Sequence, residues 1–192
     1  DTSVSRGLGD VYKRQYKPNA TSESFVEHIL YFLWDLGLKV GHATRTVKDC
    51  MTQAQADFTV RTTMLENRFL YGAPALHEEF TDAFQKQVMR GTAREFVGAK
   101  LSERDERHIR AGQSRYLVEP NIKESKGGLR DLNTLFWIAR YCYQIDGLEE
   151  LIKLKILTAD ELRLFRKCDA FLWEVRCHLH FLTGRAEERL SF

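Results

Sequence analysis

Apolar residues recur at helical spacing near the start of the chain. Positions three and four apart lie on one face of an α-helix, and here they are Val26, Ile29, Leu30, Leu33 and Leu36. Ser24 and Glu27 have the spacing of a capping box, which predicts the helix start. Gly37 predicts its end.

The next stretch, 38–72, predicts one short strand and two short helices. Leu38 to Thr44 alternates apolar and polar positions, as a half-buried strand does. Thr46, with Asp49 three residues later, predicts the start of a short helix, and a second helical run extends from Val60 to Leu70. Because one strand cannot form a sheet, we expect 16–72 to be the remnant of an α/β unit.

From residue 73 onward the pattern predicts only helices and their connections. Pro74 begins one that extends to Arg90, and the capping pairs Thr92–Glu95 and Thr158–Glu161 begin two others. The apolar stripes of the last long helices predict a buried core containing Leu132, Phe136, Leu172, Val175 and Leu179. The expected fold class is therefore mainly α: a helical bundle, 73–192, preceded by a truncated α/β remnant.

Composition and charge narrow the possible partners. Residues 1–15 have no periodicity or capped element, and we interpret them as an extraneous or disordered segment. The net charge of +2 is too balanced to favour a nucleic-acid partner. No apolar run approaches the roughly 18–20 residues of a membrane helix, so we expect a cytoplasmic protein without a membrane partner. Four cysteines without a CxxC pair predict reduced, mostly buried thiols.

The most unusual segment is EPNIKESKGGLRDL, residues 119–132. Lys123, Lys126 and Arg130 flank Gly127 and Gly128, which lead directly into a helix. Free backbone N–H groups at a helix N-terminus, aided by cationic side chains, can bind phosphate. The spacing is not that of a Walker A motif. The pattern leaves open a phosphate site or a solvated, charged loop before a helix.

Asp57 and a small basic group are the other candidates for chemistry. A carboxylate such as Asp57 can hold a divalent metal in nucleotidyl transfer, or it can cap the helix that follows. Lys39, His42 and Arg45 surround the predicted strand and either contact a phosphate or form a solvated face. No adjacent His-Asp pair occurs, so nothing indicates a metal phosphohydrolase of the HD type.

Four stretches occur in an order that resembles one enzyme family. They are FLWDLGLKVGHATRTVKDC (32–50), DFTVRTTMLENRFLYG (57–72), YLVEPNIKESKGGLRDLNTLFWIARY (116–141) and FLWEVRCHLHFLTGRAEERLSF (171–192). Together they resemble the bifunctional uridylyltransferase/uridylyl-removing enzymes, which modify the PII nitrogen-signalling protein. The resemblance covers essentially 16–192.

The resemblance implies a larger enzyme than this chain. Full-length members begin with a nucleotidyltransferase domain of the polymerase-β type, which binds Mg²⁺ and UTP. A helical domain, an HD domain that removes UMP and two glutamine-sensing ACT domains follow. The chain would then be an internal fragment: 16–72 from the back of the transferase domain and 73–192 from the helical domain. Glutamine sensing would lie in domains it lacks.

The implied activity is transfer of UMP from UTP to a tyrosine of PII, with Mg²⁺ as cofactor. By resemblance, Asp57 is the candidate third carboxylate, catalytic and metal-binding. The nucleotide-binding candidates that match family stretches are Lys39, His42, Arg45, Lys123, Lys126, Gly127, Gly128 and Arg130. We expect the fragment alone to be inactive, because it lacks the family's Asp-x-Asp pair.

Two other functions stay open at the level of the sequence. One is a non-catalytic helical module whose basic loop docks an acidic partner. The other is a nucleotidyltransferase of the same superfamily with a different acceptor, such as RNA, although the modest net charge disfavours RNA.

Overall fold

The computed structural model describes residues 11–12, 20–38, 40–111 and 118–191. This part of the chain is mainly helical, as the sequence predicts, and the chain divides into two compact units, 1–90 and 91–192. The helices of the described residues are α1 (Ala20–Asp35), α2 (Val47–Ala56), α3 (Phe58–Leu65), α4 (Pro74–Phe84), α5 (Ala93–Arg110), α6 (Leu129–Tyr143), α7 (Glu149–Lys153) and α8 (Ala159–Thr183). The predicted domain boundary at 72/73 stays a prediction.

Among the described residues of the first unit, strand structure is limited to one short parallel pair. The strands β1 (Val11–Tyr12) and β2 (Thr44–Arg45) have two residues each, and Val11 lies opposite Thr44. The predicted strand over Leu38–Thr44 is wrong, since Thr44 alone of its described residues is in a strand. An alternating sequence is insufficient where no neighbouring strands extend the hydrogen-bonded ladder.

The core of the first unit lies where α2 contacts α3 and α4. α4 continues into a π-helical turn, Gln85–Met89, which also contacts α2. The rings of Phe80 and Phe84 stack with their centroids 6.0 Å apart. The buried apolar side chains here are Cys50, Met51, Ala54, Met64, Leu65, Phe80, Phe84, Val88 and Met89.

Helix ends in this unit match the sequence prediction only in part. The capping box of Thr46 and Asp49 at the start of α2 is confirmed. The box predicted at Ser24 is wrong, because α1 begins at Ala20 and Ser24 lies inside it. α3 ends at Leu65 rather than near Gly72, and Leu70 lies outside it and is exposed.

The second unit is organised around contacts of α6 with α5 and α8. The rings of Phe96 (α5) and Tyr141 (α6) stack almost parallel, with centroids 3.9 Å apart. Thr92 precedes α5, but its hydroxyl bonds the Tyr141 hydroxyl at 2.7 Å instead of capping the helix. The predicted Thr92–Glu95 capping box is therefore wrong, whereas the Thr158–Glu161 box of α8 is confirmed.

The five core residues predicted for the second unit are not fully buried. All five are half-buried, namely Leu132, Phe136, Leu172, Val175 and Leu179. Within α8 the fully buried residue is Leu162, and outward-facing Phe171 and Leu182 are exposed. Among the described residues, α8 packs mainly along α6, and part of its broad apolar stripe stays exposed.

Cysteine burial also differs from the prediction. All four cysteines are free, but only Cys50 is buried, and Cys168 and Cys177 are exposed. Partial burial raises the pKa of the Cys142 thiol. The thiols are thus unpaired as expected, but not mostly buried.

A segment after α8 returns to residues 120–122, and we call this segment, 185–190, the C-terminal strap. Asn121 and Arg189 form an antiparallel bridge. Ile122 N–H donates to the Glu188 carbonyl at 2.8 Å, and Leu190 N–H donates to the Pro120 carbonyl at 3.0 Å. The strap thereby fixes the start of the segment that leads to Gly127 and Gly128.

Within the described residues, no helix combines the length and apolar character that a membrane crossing requires.

Candidate functional site

The glycine loop, residues 121–128, is closed by its own side chains. The Asn121 side-chain oxygen accepts from the N–H groups of Lys123 (3.0 Å) and Glu124 (2.7 Å). Ser125 Oγ accepts from Asn121 N–H at 3.0 Å. Asn side chains commonly close turns in this way. The segment is therefore a folded turn that leads into α6.

The two glycines serve this turn for different reasons. Gly127 has φ +76°, in the left-handed region where a side chain is strained. Gly128 has no such constraint, but a Cβ there would lie 2.5 Å from the Ile122 carbonyl oxygen and 2.9 Å from that of Ser125. The local backbone thus explains both glycines, and their contact with a nucleotide stays a prediction.

The backbone N–H groups at the start of α6 are already hydrogen-bonded. Gly127 N–H donates to Asp131 Oδ2 at 2.8 Å, and Leu129 N–H donates to the Ile122 carbonyl at 3.0 Å. The N–H groups of Gly128, Arg130 and Asp131 also donate to carbonyl oxygens of this segment. The expectation of free N–H groups is wrong here, so an anion would have to be bound by side chains.

The cations of the loop converge on one carboxylate, Glu124. Its oxygens lie 3.4 Å from Arg130, 3.7 Å from Arg107 Nε and 3.9 Å from Lys123 Nζ. Sequence reasoning selects Lys123 and Arg130 but misses Arg107 and Glu124. Arg107 comes from α5 and approaches the loop only through tertiary packing, so no local pattern points to it.

Asp131 joins the glycine loop to α5. It accepts from Gly127 N–H, from Arg107 Nη2 at 2.6 Å and from His108 Nε2 at 3.0 Å. Partial burial alone would raise the pKa of Asp131, but these donors outweigh burial and hold the pKa below its ordinary value. Asp131 is therefore an ionised anchor of the loop.

Lys126 differs from the other loop cations because it is exposed. It lines a surface groove of about 420 Å³, together with His108, Asp131 and Thr134. The Lys126 ammonium lies at the edge of this groove, so it can contact an anion from solvent without first breaking an ion pair within the protein.

Asp57 caps α3. Its Oδ1 accepts from the N–H groups of Thr59 (2.6 Å) and Val60 (2.9 Å), which is the usual role of an Asp at this position. Within the described residues, no group of three or more His, Cys, Asp or Glu side chains is placed to hold a metal ion. The donor set present therefore does not fit Mg²⁺ by itself, and a role of Asp57 in catalysis or metal binding stays a prediction.

The predicted basic group is described only in part. Lys39 lies outside the described residues. His42 is exposed, and its ring lies edge-on to Trp34, with centroids 6.3 Å apart. Arg45 is half-buried in β2. These residues belong to the first unit and the glycine loop to the second, and nucleotide binding by His42 and Arg45 stays a prediction.

Comparisons with known proteins give consistent results. A family model described as GlnD PII-uridylyltransferase matches residues 95–192, which include the glycine loop. The chain is similar to bifunctional uridylyltransferase/uridylyl-removing enzymes of three bacteria. It is 59% identical over 177 residues to that of Rhodopseudomonas palustris, 60% identical over 177 residues to that of Nitrobacter winogradskyi, and 57% identical over 182 residues to that of Phenylobacterium zucineum.

These matches cover 92%, 92% and 95% of this chain but 19% of each relative, so the chain spans about a fifth of their length. No solved structure matches. The family match covers half of the chain, includes both glycines and the cations around them, and agrees with the resemblance seen in the sequence. The chain therefore belongs to the GlnD PII-uridylyltransferase family.

Proposed function

We propose that this chain is part of a bacterial, cytoplasmic enzyme that transfers UMP from UTP to a tyrosine of the PII protein and also removes it. The observation that carries the proposal is the 57–60% identity, over more than nine-tenths of the chain, to enzymes bearing both activities in their names. The positions of Lys123, Lys126 and Arg130 support it, because they gather positive charge at one folded turn.

The glycine loop contributes to this activity through side chains. The backbone N–H groups from Gly127 to Asp131 are occupied, so Lys123, Lys126 and Arg130 contact the phosphates of UTP through their side chains. A direct contact between a cation and a phosphate contributes roughly 1.5–3 kcal/mol. Loss of one contact should therefore raise the KM for UTP by about 10- to 100-fold.

The test uses a complete enzyme in which residues 16–192 replace the matched segment of the Rhodopseudomonas palustris relative. Transfer of labelled UMP to PII is measured with Lys123→Ala and Arg130→Ala. The control is Lys86→Ala, an exposed lysine paired with Asp82. A KM for UTP unchanged in both loop variants would reduce the loop to a structural turn. Absence of PII labelling in the unsubstituted hybrid would contradict the proposed activity and favour a non-catalytic module.

Asp57 contributes at most one of the carboxylates that bind Mg²⁺. Asn caps a helix about as well as Asp, so Asp57→Asn removes the charge and keeps α3 capped. If Asp57 is the third carboxylate, this variant of the hybrid enzyme loses transfer while its melting temperature stays unchanged. Full transfer activity in Asp57→Asn would leave Asp57 as a helix cap only.

The chain alone should not transfer UMP. Mg²⁺ requires several oxygen ligands, and the described residues hold no cluster of acids that could provide them. Incubation of the chain with PII, labelled UTP and Mg²⁺ should leave PII unlabelled. Multiple-turnover labelling that Asp57→Asn abolishes would contradict this expectation.

A further inference from the structure

We propose that Arg107, Lys123 and Arg130 form a binding site for a diphosphate group, in which Glu124 is the internal counter-ion that the ligand displaces. The identification of that group as the diphosphate tail of UTP rests on the proposed function. The site itself rests on the packing of three cations around one carboxylate.

Glu124 is held loosely by all three cations. Its ion pairs measure 3.4, 3.7 and 3.9 Å, whereas direct charge-assisted hydrogen bonds measure about 2.7–2.9 Å. The pair of Arg107 with Asp131, at 2.6 Å, shows the short geometry that this guanidinium reaches when a carboxylate fits it. Glu124 therefore occupies the position between the cations without satisfying them.

Arg107 supplies a second, independent observation. Only 5% of this residue is exposed, and its Nε atom has no hydrogen-bond partner among the described residues. The facing atom is Glu124 Oε2, which is 3.7 Å away. Because a buried N–H without an acceptor is costly, this arrangement favours an anion that approaches Arg107 more closely than Glu124 does.

The charges and exposures are suited to exchange of one anion for another. Three cations face two carboxylates, Glu124 and Asp131, so departure of Glu124 leaves an excess of positive charge. The Glu124 side chain is 34% exposed, against 6% for Arg107 and 13% for Arg130. Glu124 can therefore turn into solvent while both guanidinium groups stay in place.

Both guanidinium groups are positioned before any ligand arrives. Asp131 holds Arg107 by one nitrogen and leaves Nε facing the site. Arg130 lies over the Trp137 ring, 5.9 Å from its centroid. A diphosphate that enters therefore meets cations already oriented toward it, which reduces the entropy lost on binding.

The experiment titrates the 192-residue chain with inorganic pyrophosphate by calorimetry at low ionic strength. Glu124→Gln removes the competing charge at constant size and should bind pyrophosphate about tenfold more tightly than the unsubstituted chain. The matched control is Asp105→Asn, which removes a carboxylate paired with Arg104 on α5 and should change affinity less than about twofold. Arg107→Gln and Arg130→Gln should each weaken binding about tenfold or more.

Several outcomes overturn the proposal. An affinity of Glu124→Gln no higher than that of Asp105→Asn would do so, and a lowered melting temperature without a gain in affinity would make Glu124 a structural counter-ion. If Arg107→Gln does not fold, unchanged pyrophosphate binding by Arg130→Gln would still contradict the site. Glu124→Gln should raise the affinity for UTP as much as it raises the affinity for pyrophosphate. An equal rise in the affinity for UMP would contradict a diphosphate site. These titrations are independent of PII labelling, so failure of the proposed activity is detected separately.

Discussion

Replacing Gly127 or Gly128 by alanine distinguishes the two constraints on the glycine loop, which are left-handed backbone at Gly127 and close approach of backbone atoms at Gly128. Gly127→Ala places a side chain at φ +76° in open space, so only backbone strain opposes it. Left-handed backbone costs an L-residue roughly 1–2 kcal/mol. Gly98→Ala is the control, since Gly98 lies within α5 with no atom near the added Cβ. It should stabilise the chain by about 0.5–1 kcal/mol.

Gly128→Ala should lower the free energy of unfolding by more than Gly127→Ala does. The added Cβ would lie 2.5, 2.9 and 3.0 Å from the carbonyl oxygens of Ile122, Ser125 and Lys123. Each of these oxygens accepts a hydrogen bond that closes the turn. Since a hydrogen bond contributes about 0.5–1.5 kcal/mol, displacement of two or three of them should cost roughly 2–4 kcal/mol.

The assay is urea unfolding of the four proteins, followed by far-ultraviolet circular dichroism and tryptophan fluorescence. The expected order of stability is Gly98→Ala, unsubstituted chain, Gly127→Ala, Gly128→Ala. A Gly128→Ala protein as stable as the unsubstituted chain would refute the crowding of backbone against backbone at this turn. Equal losses at the two loop positions would show that close approach at Gly128 costs no more than left-handed backbone at Gly127.

Three further predictions concern the second unit, and each can be measured as a change in unfolding free energy. Phe96→Ala should lower the free energy of unfolding by about 3–5 kcal/mol because it empties a fully buried position. Tyr141→Phe should lower it by only about 1 kcal/mol, because only the hydrogen bond to Thr92 is lost. Similar losses for both variants would contradict this stacked core. The pKa of Asp131 is lowered in the folded chain. The ionised carboxylate therefore stabilises the fold above the ordinary Asp pKa of 3.8, and this stabilisation is lost as the pH falls through the pKa of the folded chain. Acid titration followed by circular dichroism should therefore show a shallower loss of stability below about pH 4 in Asp131→Asn than in the unsubstituted chain, and an identical profile would count against the anchor role. Thr158→Ala removes the N-cap of α8 and should cost about 1 kcal/mol, with Thr52→Ala, at an exposed position inside α2, as the near-neutral comparison.

Much of the helical fold could be predicted from the sequence because its signals are local. The Thr46 and Thr158 capping boxes need only residues three apart, and both are confirmed. Thr92 shows the limit: its spacing to Glu95 satisfies the same rule, but a buried tyrosine from α6 competes for its hydroxyl. The half-burial of Leu172 has a similar origin, because periodicity identifies an apolar face but not what covers it.

The candidate site likewise has one part that the sequence predicts and another that depends on the folded structure. Lys123, Lys126 and Arg130 stand beside two glycines, so the sequence itself identifies the charged turn. Arg107 and its carboxylate partners come together only when α5 packs against α6, and no spacing rule connects residues so far apart. The occupied N–H groups are equally inaccessible to sequence reasoning, because the carbonyls that accept them are positioned by the folded turn.

The C-terminal strap has a consequence for the order of folding. Its bonds to Pro120 and Ile122 join the turn to residues translated only after all of α8 has been made. A nascent chain that has passed the glycine loop therefore still lacks the groups that fix the entry to that loop. Pairing across such a separation carries a larger entropic cost than a local contact. We expect the turn to reach its final shape late in synthesis, after α6 and α8 have packed, so a ribosome stalled within α8 should expose a loop that proteases can cleave.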